Sequence, residues 1–115
     1  MEYYGTTSTE KDLGARLLKI HVSSNHTTDP PKAEDDIYIC TSSSVSTSST
    51  VKLPTGCPVG KVIRIKCTGA NGYVQSTEGI TSLSGTSKST DAQSISKSVR
   101  SFVYTGTTYG WMMGY

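Results

Sequence analysis

The stretch Thr50-Val51-Lys52-Leu53-Pro54-Thr55-Gly56-Cys57-Pro58-Val59-Gly60-Lys61-Val62-Ile63-Arg64-Ile65-Lys66 decides how the rest of the chain is read. Val51 and Leu53 alternate with polar neighbours, and Ile63 and Ile65 alternate with Arg64 and Lys66. Alternation with period two marks half-buried strands. Pro54, Gly56, Pro58 and Gly60 punctuate the space between, where ladder pairing cannot continue. The stretch predicts a hairpin of two strands joined by a Pro/Gly connection, with Lys61, Arg64 and Lys66 pointing outward.

Upstream, Ile37–Cys40 predicts a short strand with Ile37 and Ile39 on one side and Tyr38 on the other. Thr41–Ser49, nearly all Ser and Thr around Val45, reads as a long exposed connection. Downstream, Asn71-Gly72 supplies the positive φ angles of a tight turn. Tyr73–Ser76 and Ile80–Ser84 follow as short strands, Gly85–Ala92 as a polar loop, and Ile95 and Ser98–Tyr104 as further strands. Thr105-Gly106-Thr107 turns the chain into a last strand, Thr108–Met113. Trp111, the single tryptophan, is expected to cap or fill the core, where its indole N–H needs a partner.

The segment Leu13–Ser23 fits two patterns. Leu13, Leu17 and Ile20 fit a helical face, whereas Leu18, Ile20 and Val22 alternating with Lys19 and His21 fit a strand. The strand over Arg16–Val22 is favoured, because serines follow it and the rest of the chain is β-rich. Ser24–Asp36 reads as a loop whose acidic cluster, Glu34, Asp35 and Asp36, is solvated. These carboxylates lack the alternating Asp/Asn spacing and glycine turn of a calcium loop.

About eight short strands with turns roughly every 8–12 residues predict an all-β fold, a small antiparallel β-sandwich or jelly-roll-like barrel. Residues 36–115 form this domain, and residues 1–35 form an extended N-terminal arm and linker with one strand. Ser and Thr, nearly a third of the chain, suit strand surfaces and turns.

At 115 residues the chain is one core-poor domain, which favours association with copies of itself. A net charge of +2 without a basic stripe argues against nucleic acid as a partner. No run approaches the roughly 18 apolar residues of a membrane span. The start Met1-Glu2-Tyr3-Tyr4-Gly5 lacks a secretory pattern, so synthesis in a cytoplasm is expected. Cys40, Cys57 and Cys67 fit no metal spacing and read as small, partly buried thiols; a Cys57–Cys67 bridge would need an oxidising setting.

Catalytic patterns are missing. No Gly-x-Ser-x-Gly elbow surrounds the serines, and Gly69–Gly72 precedes a strand instead of opening a helix. His21 and His26 stand on a candidate strand and in a loop. No catalytic residue, cofactor or metal ligand is therefore expected.

From Asp36 onward the order of elements resembles a module of bacteriophage tail-fibre, tail-spike and head-fibre proteins. The matching residues are Ile37–Cys40, Thr50–Pro54, Pro58–Lys66, Gly69–Gly72, Leu83–Gly85, and Val103-Tyr104-Thr105-Gly106 with Trp111. The pattern departs at Thr105, which replaces an acidic residue, and in the longer step from Gly106 to Trp111; Met1–Asp35 has no counterpart. The resemblance implies a non-enzymatic virion structural protein, often homotrimeric, made in the host cytoplasm and located on the particle surface. With the short chain, it points to a capsid decoration (cement) or small head-fibre protein bound to the major capsid protein or another virion component. The alternatives are a receptor- or glycan-binding fibre tip and a tail or neck adaptor. Tyr3, Tyr4, Leu13 and Leu17 are the expected arm contacts. Tyr73, Tyr109 and Trp111, with Tyr104, are the expected stacking surface for a receptor.

Overall fold

The computed structural model describes residues 17–115. Among them are no helices and nine short strands: β1 (Ile20–Ser23), β2 (Ile37–Cys40), β3 (Val51–Lys52), β4 (Val62–Cys67), β5 (Gly72–Gln75), β6 (Ile80–Thr81), β7 (Gln93–Ser96), β8 (Arg100–Tyr104) and β9 (Trp111–Gly114). The all-β expectation holds. In β4, Ile63, Ile65 and Cys67 are buried and alternate with Val62, Arg64 and Lys66, as the period-two pattern requires.

The strands form two mixed sheets, one of order β1-β2-β4-β8-β9-β6 and one of order β3-β5-β7. β1–β2, β2–β4, β3–β5 and β6–β9 pair parallel; β4–β8, β5–β7 and β8–β9 pair antiparallel. This corrects the wholly antiparallel expectation. Alternation says which side of a strand is buried, but it is silent on the direction of the neighbour.

The central hairpin does not form. β3 pairs with β5, while β4 lies between β2 and β8. The Pro/Gly connection carries the chain from one sheet to the other, and its far end is tied to β8. Gly60 N–H donates to Tyr104 O at 2.8 Å, and Tyr104 N–H donates to Lys61 O at 2.9 Å. The Asn71-Gly72 step likewise links the sheets and does not fold β4 onto β5. The β8–β9 turn does close the antiparallel pair that the sequence predicts.

Both sheets contribute to one core. Val51, Val74 and Ile95 from the small sheet cluster with Tyr38, Ile63, Ile65, Phe102 and Trp111 from the large one. Local exceptions shape it. Between Gly72/Tyr73 and β7 the register slips by one residue, leaving Ile95 as the extra residue of a bulge and Ser96 at φ 51. A Cβ on Gly72 would stand 2.6 Å from Ile95 Cγ1, so glycine there makes room for the redirected side chain. Gly110, at φ 62, lets its turn approach Gly79 closely, and Trp111 N–H then donates to Gly79 O at 2.9 Å.

The strand expected over Arg16–Val22 appears as β1 and forms one edge of the large sheet. Residues 20–35 are thus built into the domain that sequence reading begins at residue 36.

Candidate functional site

β1 and β2 run parallel, so the chain must cross over between them, and residues 24–36 make that crossover. The loop is anchored by charge. His21 Nδ1 lies 2.6 Å from Asp35 Oδ2, and Nε2 lies 2.9 Å from Asp29 Oδ2. Carboxylate oxygens accept and do not donate, so both ring nitrogens carry hydrogen and the ring is held as imidazolium. Hydrogen bonds to Asp29 and Asp35 raise the His21 pKa above its ordinary value against the pull of burial. Bonds from His21 and Lys32 hold the Asp29 carboxyl at about 2. Tyr38 meets the His21 ring edge-on at 5.0 Å and donates its hydroxyl to Asp29 O at 2.8 Å. Burial pushes that hydroxyl up to about 12, which keeps it a donor.

The acidic cluster is therefore not the solvated run expected. Asp35 and Asp36 are buried while Glu34 is exposed, and the three carboxyls face different partners. Asp35 also accepts from Lys32 N–H at 2.9 Å. Asp36 Oδ2 accepts from Lys19 N–H at 2.7 Å, and its Oδ1 lies 3.8 Å from Lys61 Nζ. Glu34 reaches Lys19 Nζ at 3.3 Å. Among the described residues no three acidic, His or Cys groups converge on a metal position. Lys61, expected outward, is drawn in by Asp36, whereas Arg64 does point to solvent.

The opposite face of the same strands is aliphatic and open. Ile20 and Val22 are 58% and 60% exposed, beside half-buried Ile37 and Ile39 in register. Leu18 is exposed just before them. The backbone of β1 is divided in the same way. Lys19 O and Ser23 O accept from Ile37 and Thr41 N–H of the β2 side, so the odd-numbered residues face β2. The N–H and C=O groups of Ile20 and Val22 consequently point to the outer edge of the sheet. A depression of about 430 Å³ runs along this edge, lined by residues 19–22 and by Lys32, Glu34 and Asp35.

Of the residues singled out from sequence, Tyr3, Tyr4 and Leu13 lie outside the described residues. Leu17 is exposed at the start of the described chain. Tyr109 is half exposed, and Tyr73 packs against the core. Trp111 is completely buried, its ring 5.3 Å from that of Tyr104, which is itself buried. A ring with no solvent face cannot stack on a sugar, so the expected core position of Trp111 holds and its place in the stacking surface is corrected. Its indole N–H has no partner among the described residues, contrary to expectation. The three aromatics do not come together as a platform.

The remaining chemistry is muted. Ser49 Oγ and Ser49 O both lie 3.0 Å from His26 Nε2. The carbonyl only accepts, so Nε2 carries the hydrogen and is not placed to take one from Ser49; among the described residues, buried Nδ1 has no partner to orient the ring. All three cysteines are free and buried. Cys67 stands in register with Cys40, not against Cys57. Burial and the neighbouring Cys40 push the Cys67 thiol up to about 12, and burial raises that of Cys57, which disfavours the reactive thiolate. Among the described residues, Ile20 and Val22 leave an aliphatic face open at the β1 edge. Sequence alternation marked Ile20 and Val22 as one face, but nothing in it said that this face would be the uncovered one. No family model matches the chain, and no curated protein matches it.

Proposed function

We propose that this chain is a non-enzymatic structural protein of a virus particle, a capsid decoration (cement) or small head-fibre protein. Its N-terminal residues, with Tyr3, Tyr4, Leu13 and Leu17, hold the major capsid protein or another virion component. The two sheets form a small sandwich that associates with its own copies and faces outward. The module resemblance over residues 36–115 supports this reading and implies a trimer. The observation that carries it is the aliphatic edge of Ile20, Val22, Ile37 and Ile39, which directly follows the N-terminal segment. Attachment segment and uncovered apolar surface meet at one place, as an assembly protein requires.

A receptor-binding fibre tip is favoured only by the half-exposed ring of Tyr109, beside the turn that ends at Gly110. Imaging the assembled particle with the protein located in the density tests the reading. A capsid-surface position is expected. A position at a tail end or in a portal-proximal ring overturns it in favour of the fibre tip or the adaptor.

A further inference from the structure

An edge strand in a folded protein normally carries a device that prevents further pairing, such as an outward lysine, a proline or a bulge. β1 has none: its sequence is Ile20-His21-Val22-Ser23, and its ladder with β2 is unbroken. Its only ionisable side chain, His21, is turned away from the exposed aliphatic face and held by Asp29 and Asp35. The adjoining Lys19 is matched by Glu34.

We propose that this edge pairs with the same edge of a second copy, antiparallel about a two-fold axis at His21. The register follows from the strand itself. Two copies related by an axis normal to the sheet place residue i opposite residue 42 − i when His21 faces its own equivalent. Ile20 then lies opposite Val22 of the second copy, and Val22 opposite Ile20. Both positions turn N–H and C=O outward, so each makes a hydrogen-bonded pair. Four hydrogen bonds result, and all four outward groups of each strand are used. The side chains agree with the backbone. Ile20 meets Val22 on one face in a cross-strand aliphatic pair, twice by symmetry. Ile37 and Ile39 of each copy extend that apolar surface. Because Lys19 and His21 are already neutralised within each copy, the axis sets no bare like charges together. The depression beside β1 gives the approaching strand its place. Such an interface is self-complementary, as two-fold association demands. It is also small, so association falls in the micromolar range.

The pairing does not depend on the virion reading: it gives a two-fold pair where the module resemblance implies a trimer, so the oligomeric state separates the two. Sedimentation velocity of the full chain across micromolar concentrations should show monomer giving way to dimer. Amide hydrogen exchange at Ile20 and Val22 should slow in step with dimer formation. Val22→Pro deletes an N–H that faces only the outer edge, so the β1–β2 ladder is retained and the dimer is lost. Ile20→Lys, which keeps every backbone donor, should weaken dimerisation at least tenfold with unchanged circular dichroism. A trimer overturns the pairing and leaves the decoration reading standing. So does a monomer whose Ile20 and Val22 amides are protected at every concentration, since the chain's own residues would then cover the edge. A monomer with unprotected amides, or an Ile20→Lys variant that dimerises like the parent, overturns it as well.

Discussion

The two ends of the large sheet are built from different physics. At the β8–β9 end, Phe102, Tyr104 and Trp111 are buried, and a glycine turn brings Gly110 onto Gly79. Apolar packing fills that end, and Ser89 caps the outermost strand β6 through two backbone hydrogen bonds with Ile80. At the β1–β2 end, the crossover loop is held by His21, Asp29, Asp35 and Asp36, while Ile20 and Val22 remain outside. The same strand thus puts its polar residue into a network and its aliphatics into solvent. Buried apolar surface fills the first end. In the second, charge holds a loop on one face and leaves apolar surface available on the other. An edge whose aliphatics face solvent stays ordered only if something other than its own apolar contacts holds it. The His21 network does so.

The contrast can be broken most severely at the apolar end. Trp111→Ala should destabilise the fold by about 3–5 kcal/mol, the range for truncating a fully buried aromatic. Chemical denaturation measures it; a change near zero would mean that the ring is not in the core. The charged end should respond less. Asp35→Ala strips the acceptor from the buried side of His21 and from Lys32 N–H, and should cost about 2 kcal/mol.

That second effect should depend on pH in a defined direction. The folded pKa of His21 is raised above 6.5, so its contribution is complete below that value and is lost as pH rises through the folded pKa. The folded pKa of Asp29 is lowered from 3.8 to about 2, so its contribution is complete above 3.8 and is lost as pH falls towards 2. The network is at full strength between these two ordinary values. Denaturation midpoints should decline on both sides, and His21→Gln should flatten the alkaline limb. A midpoint that rises from pH 6 to 9 in the parent would contradict the imidazolium assignment. The smallest effect is expected at Tyr109, whose ring is half exposed. Tyr109→Ala should leave stability within about 0.5 kcal/mol, as surface changes do. A larger loss would show that the ring is structural and would remove the one feature favouring a receptor tip.

Legibility in the sequence follows the same division. The β8–β9 pair was readable because its residues and its turn lie together in the chain: Phe102 and Tyr104 alternate, and Gly106 sits between the strands. The hairpin of residues 50–66 was readable as strands but not as a pair, since Pro54–Gly60 can join two sheets as well as two neighbours. The acidic run 34–36 reads as solvated in any local window. The burial of Asp35 and Asp36 depends on His21, Lys19 and Lys61, which lie roughly 14 to 25 residues away and whose pairing offsets the removal of charge from water. The exposed edge was invisible for a related reason: an alternating strand looks identical whether its apolar face meets a core or solvent.

Local alternation and composition were enough for the all-β class and for the buried side of β3 and β4, because these depend on neighbouring residues alone. Tertiary structure alone decided strand direction, the separation of residues 51–52 from 62–67 into different sheets, the charged clamp around His21 and the uncovered edge of β1. Each of these is a choice of partner, made by competition among surfaces distant in sequence.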